Sequence, residues 1–264
     1  MPTRRPSSAT RSPYSRAAPV AIGIRPEATI IVSVGQQARA DRIRQMFDQV
    51  AARYDARNRL FSADRDRAWR RRAAQRAALR PGQTALDLCT GTGRLAHELL
   101  PFVGPSGRVI GVDFSPAMLE LARRREPQVE FRLGDVTRLD QPDASVDAVT
   151  IGFGLRNLVD RNAALCEMFR VLHPGGRLVI LEFAPPPGGL LMRAYHFYLS
   201  RVMPAVAGLL SAGEGSAYRY LAETVEAFPE PAELTQQLER LGFSVTAERL
   251  TFGIVALHVA VRRH

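Results

Sequence analysis

Through the middle of the chain, short apolar runs alternate with stretches in which apolar positions recur every three to four residues. The runs fall at residues 84–88, 108–112, 129–133, 148–152 and 177–183, and the periodic stretches at 94–100, 116–125 and 163–172. An unbroken apolar run bounded by turn residues is a strand buried on both faces, whereas the longer period marks one face of a helix. Strand and helix in alternation predict right-handed crossovers and a parallel sheet with helices on both sides, an α/β architecture. The pattern differs at both ends. Upstream, Ile43, Phe47, Val50 and Tyr54 form one helical stripe, and a second basic helix around Trp69, Ala73 and Ala77 stops before Pro81-Gly82. Downstream, residues 188–225 break the alternation with an aromatic, apolar insert. A helix over 231–241 follows, then strands at 244–250 and 253–261 joined by a short turn, the spacing of an antiparallel hairpin. A catalytic unit over 38–264 is expected, with a helical cap at 38–80 and the insert as a lid.

Charge divides the 264 residues unevenly. The net charge is +10 and every basic residue but histidine is arginine. The balance is +12 over residues 1–80 and −2 over the remainder, so the basic excess lies outside the alternating region. Residues 1–37, with Glu27 as their single acid, show no sustained period and read as a disordered basic extension. An organelle transit peptide shares that composition and is the competing reading. The absence of lysine suggests codon bias in a high-GC bacterium. Cys89 and Cys166 are the only cysteines and show no metal-ligand spacing, so neither a disulfide framework nor a metal is expected. No apolar stretch reaches the ~20 residues that span a bilayer.

The first strand runs into Asp87-Leu88-Cys89-Thr90-Gly91-Thr92-Gly93. Two glycines past a strand let a ligand approach the backbone, and the helix that follows turns its positive end toward it. Gly91, Gly93 and Ala96, with Asp113 further on, also satisfy the dinucleotide fingerprint, which keeps a nicotinamide-dependent enzyme as runner-up. The carboxylates shift the balance. Asp87 at the strand tip would repel a pyrophosphate but welcome an ammonium group, Asp113 can take two ribose hydroxyls, and Asp135 can accept from an adenine amino group while the Val136 N–H donates to the ring. Acids at three successive strand ends suit the cationic S-adenosylmethionine. With the terminal hairpin, the expected fold is that of the class I methyltransferases.

Several blocks carry a closer likeness: Met46-Phe47-Asp48 with Tyr54-Asp55 and Asn58, Gly152-Phe153-Gly154-Leu155-Arg156-Asn157, Arg170 to Gly176, Leu181-Glu182-Phe183, Tyr218-Arg219-Tyr220-Leu221 and Gly253 to His258. From about Met46 to His258 the sequence resembles the ubiquinone/menaquinone biosynthesis C-methyltransferases. The resemblance implies cofactor contacts at Thr92, Asp113, Asp135 and Val136, and a demethylmenaquinol or ubiquinone-precursor substrate. Gly152 and Thr224 stand where that family usually has serine, and the lead into Trp69 also departs.

Methylating a quinol ring carbon needs no nucleophilic side chain, because electrons from the ring hydroxyl activate the neighbouring carbon. The protein must align carbon and methyl, stabilise a developing quinolate and accept a proton. Arg156 is the candidate for the oxyanion, Tyr54 and Asp55 for closure over the cofactor, His196 for the proton and Asn157 for orienting a substrate oxygen or capping the next helix. The apolar insert suits an isoprenoid tail, and the basic helices suit a membrane surface. A cytoplasmic enzyme at the inner face of a bacterial membrane is expected, with the mitochondrial matrix as alternative and a homodimer possible. Nucleic acid is not expected as a partner. The competing functions are a nucleic-acid methyltransferase, which the net charge suggests but Gly152-Phe153-Gly154-Leu155 does not support, and a non-catalytic scaffold on the same fold.

Overall fold

The computed structural model describes residues 34–62, 65–186, 188–189, 192–193, 197, 201 and 215–264, with side-chain placements for a subset of them. The basic extension before residue 34, His196 and most of the lid insert lie outside these residues. Val34–His264 forms one compact unit.

Seven strands make a single sheet in the order β3-β2-β1-β4-β5-β7-β6. β1 (Thr84–Leu88), β2 (Arg108–Asp113), β3 (Glu130–Leu133), β4 (Val146–Gly152) and β5 (Leu172–Phe183) pair in parallel. β6 (Phe243–Leu250) and β7 (Val255–Arg262) form the antiparallel hairpin, and β7 joins β5. The helices are α1 (Val34–Ser62), α2 (Arg65–Arg76), α3 (Arg94–Val103), α4 (Pro116–Arg125), α5 (Arg161–Val171), α6 (Gly215–Glu226) and α7 (Pro231–Arg240). Each expected strand is present. β5 starts five residues earlier than its apolar run, because His173 to Gly176 loop out as an irregularity: Val146 pairs with Leu172 and Ala148 with Arg177. Gly175 takes φ +80° in that excursion.

The two-residue period of the strands sorts the core into two layers. Leu86, Leu88, Ile110, Val149, Ile151 and Ile180 face α5 and α7, where Leu165, Met168, Leu234 and Leu238 are buried. Ala85, Val109, Ala148, Val179 and Leu257 face α2, α3 and α4, where Ala73, Ala74, Leu99 and Leu119 are buried. The small residues on the second face let α2 come close to β4 and β5. α2 is tied down further by Arg72 on Glu248 and by the Trp69 indole N–H on Thr251 Oγ1 at 2.8 Å.

The strand order reverses between β1 and β4. In a doubly wound sheet the crevice outside the carboxyl ends at such a reversal is where a ligand sits. Gly93 shapes that crevice from below: it has φ +80°, and a Cβ built there would stand 2.8 Å from Phe131 Cζ. Replacing Gly93 with alanine should therefore cost about 1–3 kcal/mol of stability through the left-handed backbone alone, read from urea unfolding. A stability equal to the parent chain would contradict this account of the loop.

Candidate active site at the carboxyl edge

The loop after β1 is bound to the neighbouring strands through buried carboxylates. Asp87 is 1% exposed, and its two oxygens accept from Thr90 Oγ1 and Thr150 Oγ1, both at 2.6 Å. Asp87 therefore clasps the glycine loop to β4. Asp113, at the end of β2, accepts from the Gly91 N–H at 2.8 Å and the Ser115 N–H at 3.0 Å. Burial pushes both carboxyls up to about 6, against the hydrogen bonds that oppose it. Gly91 has φ +56°, and a Cβ there would meet nothing within 4 Å, so the loop presents open space on its upper side.

Asp135 lies beyond β3 and is exposed, with Oδ1 accepting from the Thr137 N–H and hydroxyl at 2.8 Å. It thus shapes a turn while standing at the strand end, and Val136 beside it is buried. Thr92 is buried within the loop. Gly152 ends β4, where a Cβ would approach Leu95 Cδ2 at 3.1 Å. The cap reaches this edge too: Phe47 and Phe114 meet edge to face with centroids 6.3 Å apart, and Ser115 Oγ donates to Asp48.

The second half of the site lies past β4. Leu155–Asn157 forms one turn of 3-10 helix. Arg156 is not a surface residue: its side chain is 8% exposed, Nη1 donates to Glu182 Oε1 and to the Phe153 carbonyl at 2.6 Å, and its guanidinium lies 5.3 Å from the Phe183 ring centre. Glu182, 1% exposed on β5, also accepts from the Arg156 backbone N–H. The pair is held rigidly, and its opposite charges are matched. Asn157 does not cap α5, since Asp160 Oδ1 takes the Ala163 N–H in that role. Its Nδ2 leans instead on the Phe153 carbonyl at 3.4 Å.

Glu182, quoted in the sequence only as part of a shared block, is the candidate site residue to which sequence reasoning gave no role. The available signal was an acid inside an apolar strand, which a core tolerates only when paired. Cys89, at φ +50° beside the crevice, registers the same field. Its thiol is pushed well above the ordinary range, first by burial and then by Asp113, Asp87, Glu182 and Asp135. A thiol so placed is no nucleophile. Tyr54 and Asp55 fall within α1, but their side-chain placement lies outside what is described, as does His196.

Buried acids with raised pKa values are suited to a cationic, hydroxyl-bearing ligand, so the residues present fit S-adenosylmethionine. Comparisons with known proteins agree. A family model described as the ubiE/COQ5 methyltransferase family matches residues 35–262. A demethylmenaquinone methyltransferase of Thermus thermophilus is 49% identical over 221 residues, covering 82% of this chain and 100% of that protein. The ubiquinone/menaquinone biosynthesis C-methyltransferase UbiE of Geobacter sulfurreducens is 42% identical over 227 residues, covering 83% and 88%. Among solved structures, a SAM-dependent methyltransferase from Aquifex aeolicus superposes with a TM-score of 0.50 at 21% identity, covering 69% of this chain and 83% of that one, a likeness of fold.

The two raised carboxyls set a pH dependence. From the ordinary value of 3.8 up to about 6, the folded chain holds protons that the unfolded chain has released. Their contribution to the stability of the ligand-free protein should fall as pH rises through that window and level off above it, against the opposite contribution of Glu130, Glu167 and Glu248, whose carboxyls lie below their ordinary value. Affinity for S-adenosylmethionine should rise over the same window, because the cation favours the ionised acids. Thermal melts of the parent chain and of Asp87→Asn, with calorimetric titrations, from about pH 4 to 8 (a range set by ordinary carboxylate and near-neutral values) check both, and a difference between the two melts that stays constant across the window would refute the assignment.

Proposed function

The chain belongs to the ubiE/COQ5 methyltransferase family, and on that premise we propose that it methylates a ring carbon of a prenylated quinol, demethylmenaquinol ahead of the ubiquinone-pathway benzoquinol. The protein is an S-adenosylmethionine-dependent C-methyltransferase. Demethylmenaquinol is placed first because the Thermus relative, aligned over its whole length, carries that substrate in its name. The observation in the structure that carries the reading is the buried Arg156–Glu182 pair beside the cofactor crevice.

Bound S-adenosylmethionine supplies an electrophilic sulfonium methyl. Asp113 and Asp135 would hold its ribose and adenine ends, and the Gly91 loop, clasped by Asp87, would bring the methionine end over β1 and β4. The substrate oxygen gathers negative charge as its ring carbon attacks. Arg156 stays protonated and is fixed by Glu182, so it can meet that charge without first reorganising. Glu182 also keeps the resting site near neutrality, which suits a neutral quinol better than an anionic substrate. Asn157 orients the oxygen, and Tyr54 and His196 remain proposals for closure and for the proton.

Among the described residues, no helix is long and apolar enough to cross a membrane. A peripheral contact is proposed instead. Arg65, Arg67 and Arg71 are exposed on α2, and an arginine near an anionic lipid surface contributes about 1 kcal/mol.

Incubation with S-adenosylmethionine and reduced demethylmenaquinone in detergent should add the mass of one methyl to the lipid. Labelled RNA with unchanged lipid would sink this reading. Asp113→Asn should weaken cofactor binding, whereas Arg156→Lys, which keeps the charge opposite Glu182 but loses the fork, should bind cofactor normally and turn over about 10²-fold more slowly. Equal loss of cofactor affinity in both would contradict the separate roles.

A further inference from the structure

Among the described residues, four buried polar atoms around the Leu155–Asn157 turn have no hydrogen-bond partner: Arg156 Nε, Asn157 Oδ1, Arg161 Nε and Tyr220 Oη. Leaving such a group unsatisfied destabilises a folded protein, so four around one turn call for an explanation. Arg161 has one in part. It starts α5, with its guanidinium 4.9 Å from the Phe228 ring centre. The other three belong to the turn and to the helix packed against it. Arg156 and Asn157 both direct nitrogens to the Phe153 carbonyl, which places their side chains together. Tyr220 comes from α6, which packs against that same turn. The phenol is near enough to Arg156 for its charge to be felt there, although burial outweighs it and pushes the phenol above its ordinary range. It therefore remains a donor at neutral pH.

The three atoms match one chemical group. A ring hydroxyl accepts from two donors and donates one proton, and Arg156 Nε–H, Tyr220 Oη–H and Asn157 Oδ1 are two donors and one acceptor. We propose that Tyr220 binds the substrate directly, completing with Arg156 and Asn157 a three-point cradle for a single phenolic hydroxyl of the ring. The inference rests on the quinol reading above and deepens it. Tyr220 then shares with Arg156 the charge that gathers on the oxygen. The oxidised ring, which has no hydroxyl proton, would leave Asn157 Oδ1 unpaired.

α6 is fitted to hold the phenol still. Thr224, one turn on, spends its hydroxyl on the helix backbone, donating to the carbonyls of Tyr220 at 2.8 Å and Leu221 at 3.0 Å. Such back-bonding fixes the local curvature of the helix at the residue that carries the phenol. A serine at this position would make the same bonds with one methyl group fewer to hold its rotamer.

Tyr220→Phe removes only the oxygen, and it separates a substrate-binding role from a structural one. With demethylmenaquinol and S-adenosylmethionine, the variant should lose about 10²-fold in kcat/KM, the size seen when one preorganised donor to a developing oxyanion is removed. Its affinity for S-adenosylmethionine should be unchanged. Its melting temperature should rise by about 2–4 °C, because an unpartnered buried hydroxyl is gone. A structural tyrosine would give the opposite sign in the melt. Wild-type turnover together with a fully active Tyr220→Phe overturns this inference alone. So does a variant that melts lower and loses cofactor affinity. A wild type that leaves demethylmenaquinol unmethylated overturns the reading of the reaction, and this inference with it.

Discussion

Negative charge buried at the carboxyl edge of the sheet is the constraint around which the other parts of the site are arranged. Asp87, Asp113 and Glu182 are each 4% exposed or less. Charges so placed must be paired, hydrogen-bonded or partly protonated. Glu182 is paired with Arg156. Among the described residues, Asp87 is held by two hydroxyls with the more distant Arg70 charge, and Asp113 by backbone N–H groups, and burial wins, lifting both to about 6. The site is therefore short of positive charge on the cofactor side and balanced on the substrate side. A sulfonium cofactor and a neutral ring are complementary to that division.

The same balance changes the meaning of the arginine-rich N-terminal part. A +12 segment suggests a polyanion partner, yet several of its arginines serve the fold. Arg70 is buried on Asp66, which Arg94 of the glycine-loop helix also reaches at 2.9 Å. Arg72 and Arg76 face Glu248 on the edge strand. These pairs fasten α2 across the sheet from the loop to the hairpin. What remains exposed is a smaller basic surface that includes Arg65, Arg67 and Arg71.

Strands were legible in the sequence because both sides of the sheet are covered, so each buried strand is a continuous apolar run and its crossover a periodic one. The start of β5 was not, since His173 to Gly176 interrupt the run without ending the strand. The candidate cofactor half of the site could be placed from the sequence because its carboxylates sit at strand ends, at fixed offsets from the glycines. The substrate half was less so. Arg156 and Asn157 stood out within a block, but Glu182 is far from them in sequence, and only the pairing of β4 with β5 brings it beneath the guanidinium. Asp135 illustrates a further limit: its spacing marks a strand end, whereas its exposure and its bonds to Thr137 depend on a turn that no spacing encodes.

Partner satisfaction separates the roles of the shared blocks. Arg170 is fully engaged, donating to Glu167, to Asp143 and to the carbonyls of Leu139 and Gln141, so it staples the loop before β4 to α5. His258 donates from Nε2 to the Pro231 carbonyl, and burial lowers its pKa, so it stays neutral and ties β7 to the start of α7. Both residues join separate elements of the fold through the bonds they make. Arg156 and Asn157 have spent part of their capacity on Glu182 and Phe153 and kept part unspent, and Tyr220 has spent none of its hydroxyl. A ring hydroxyl bound there would remove that cost, and the unspent groups lie at the same end of the sheet as the acids that would hold the methyl donor.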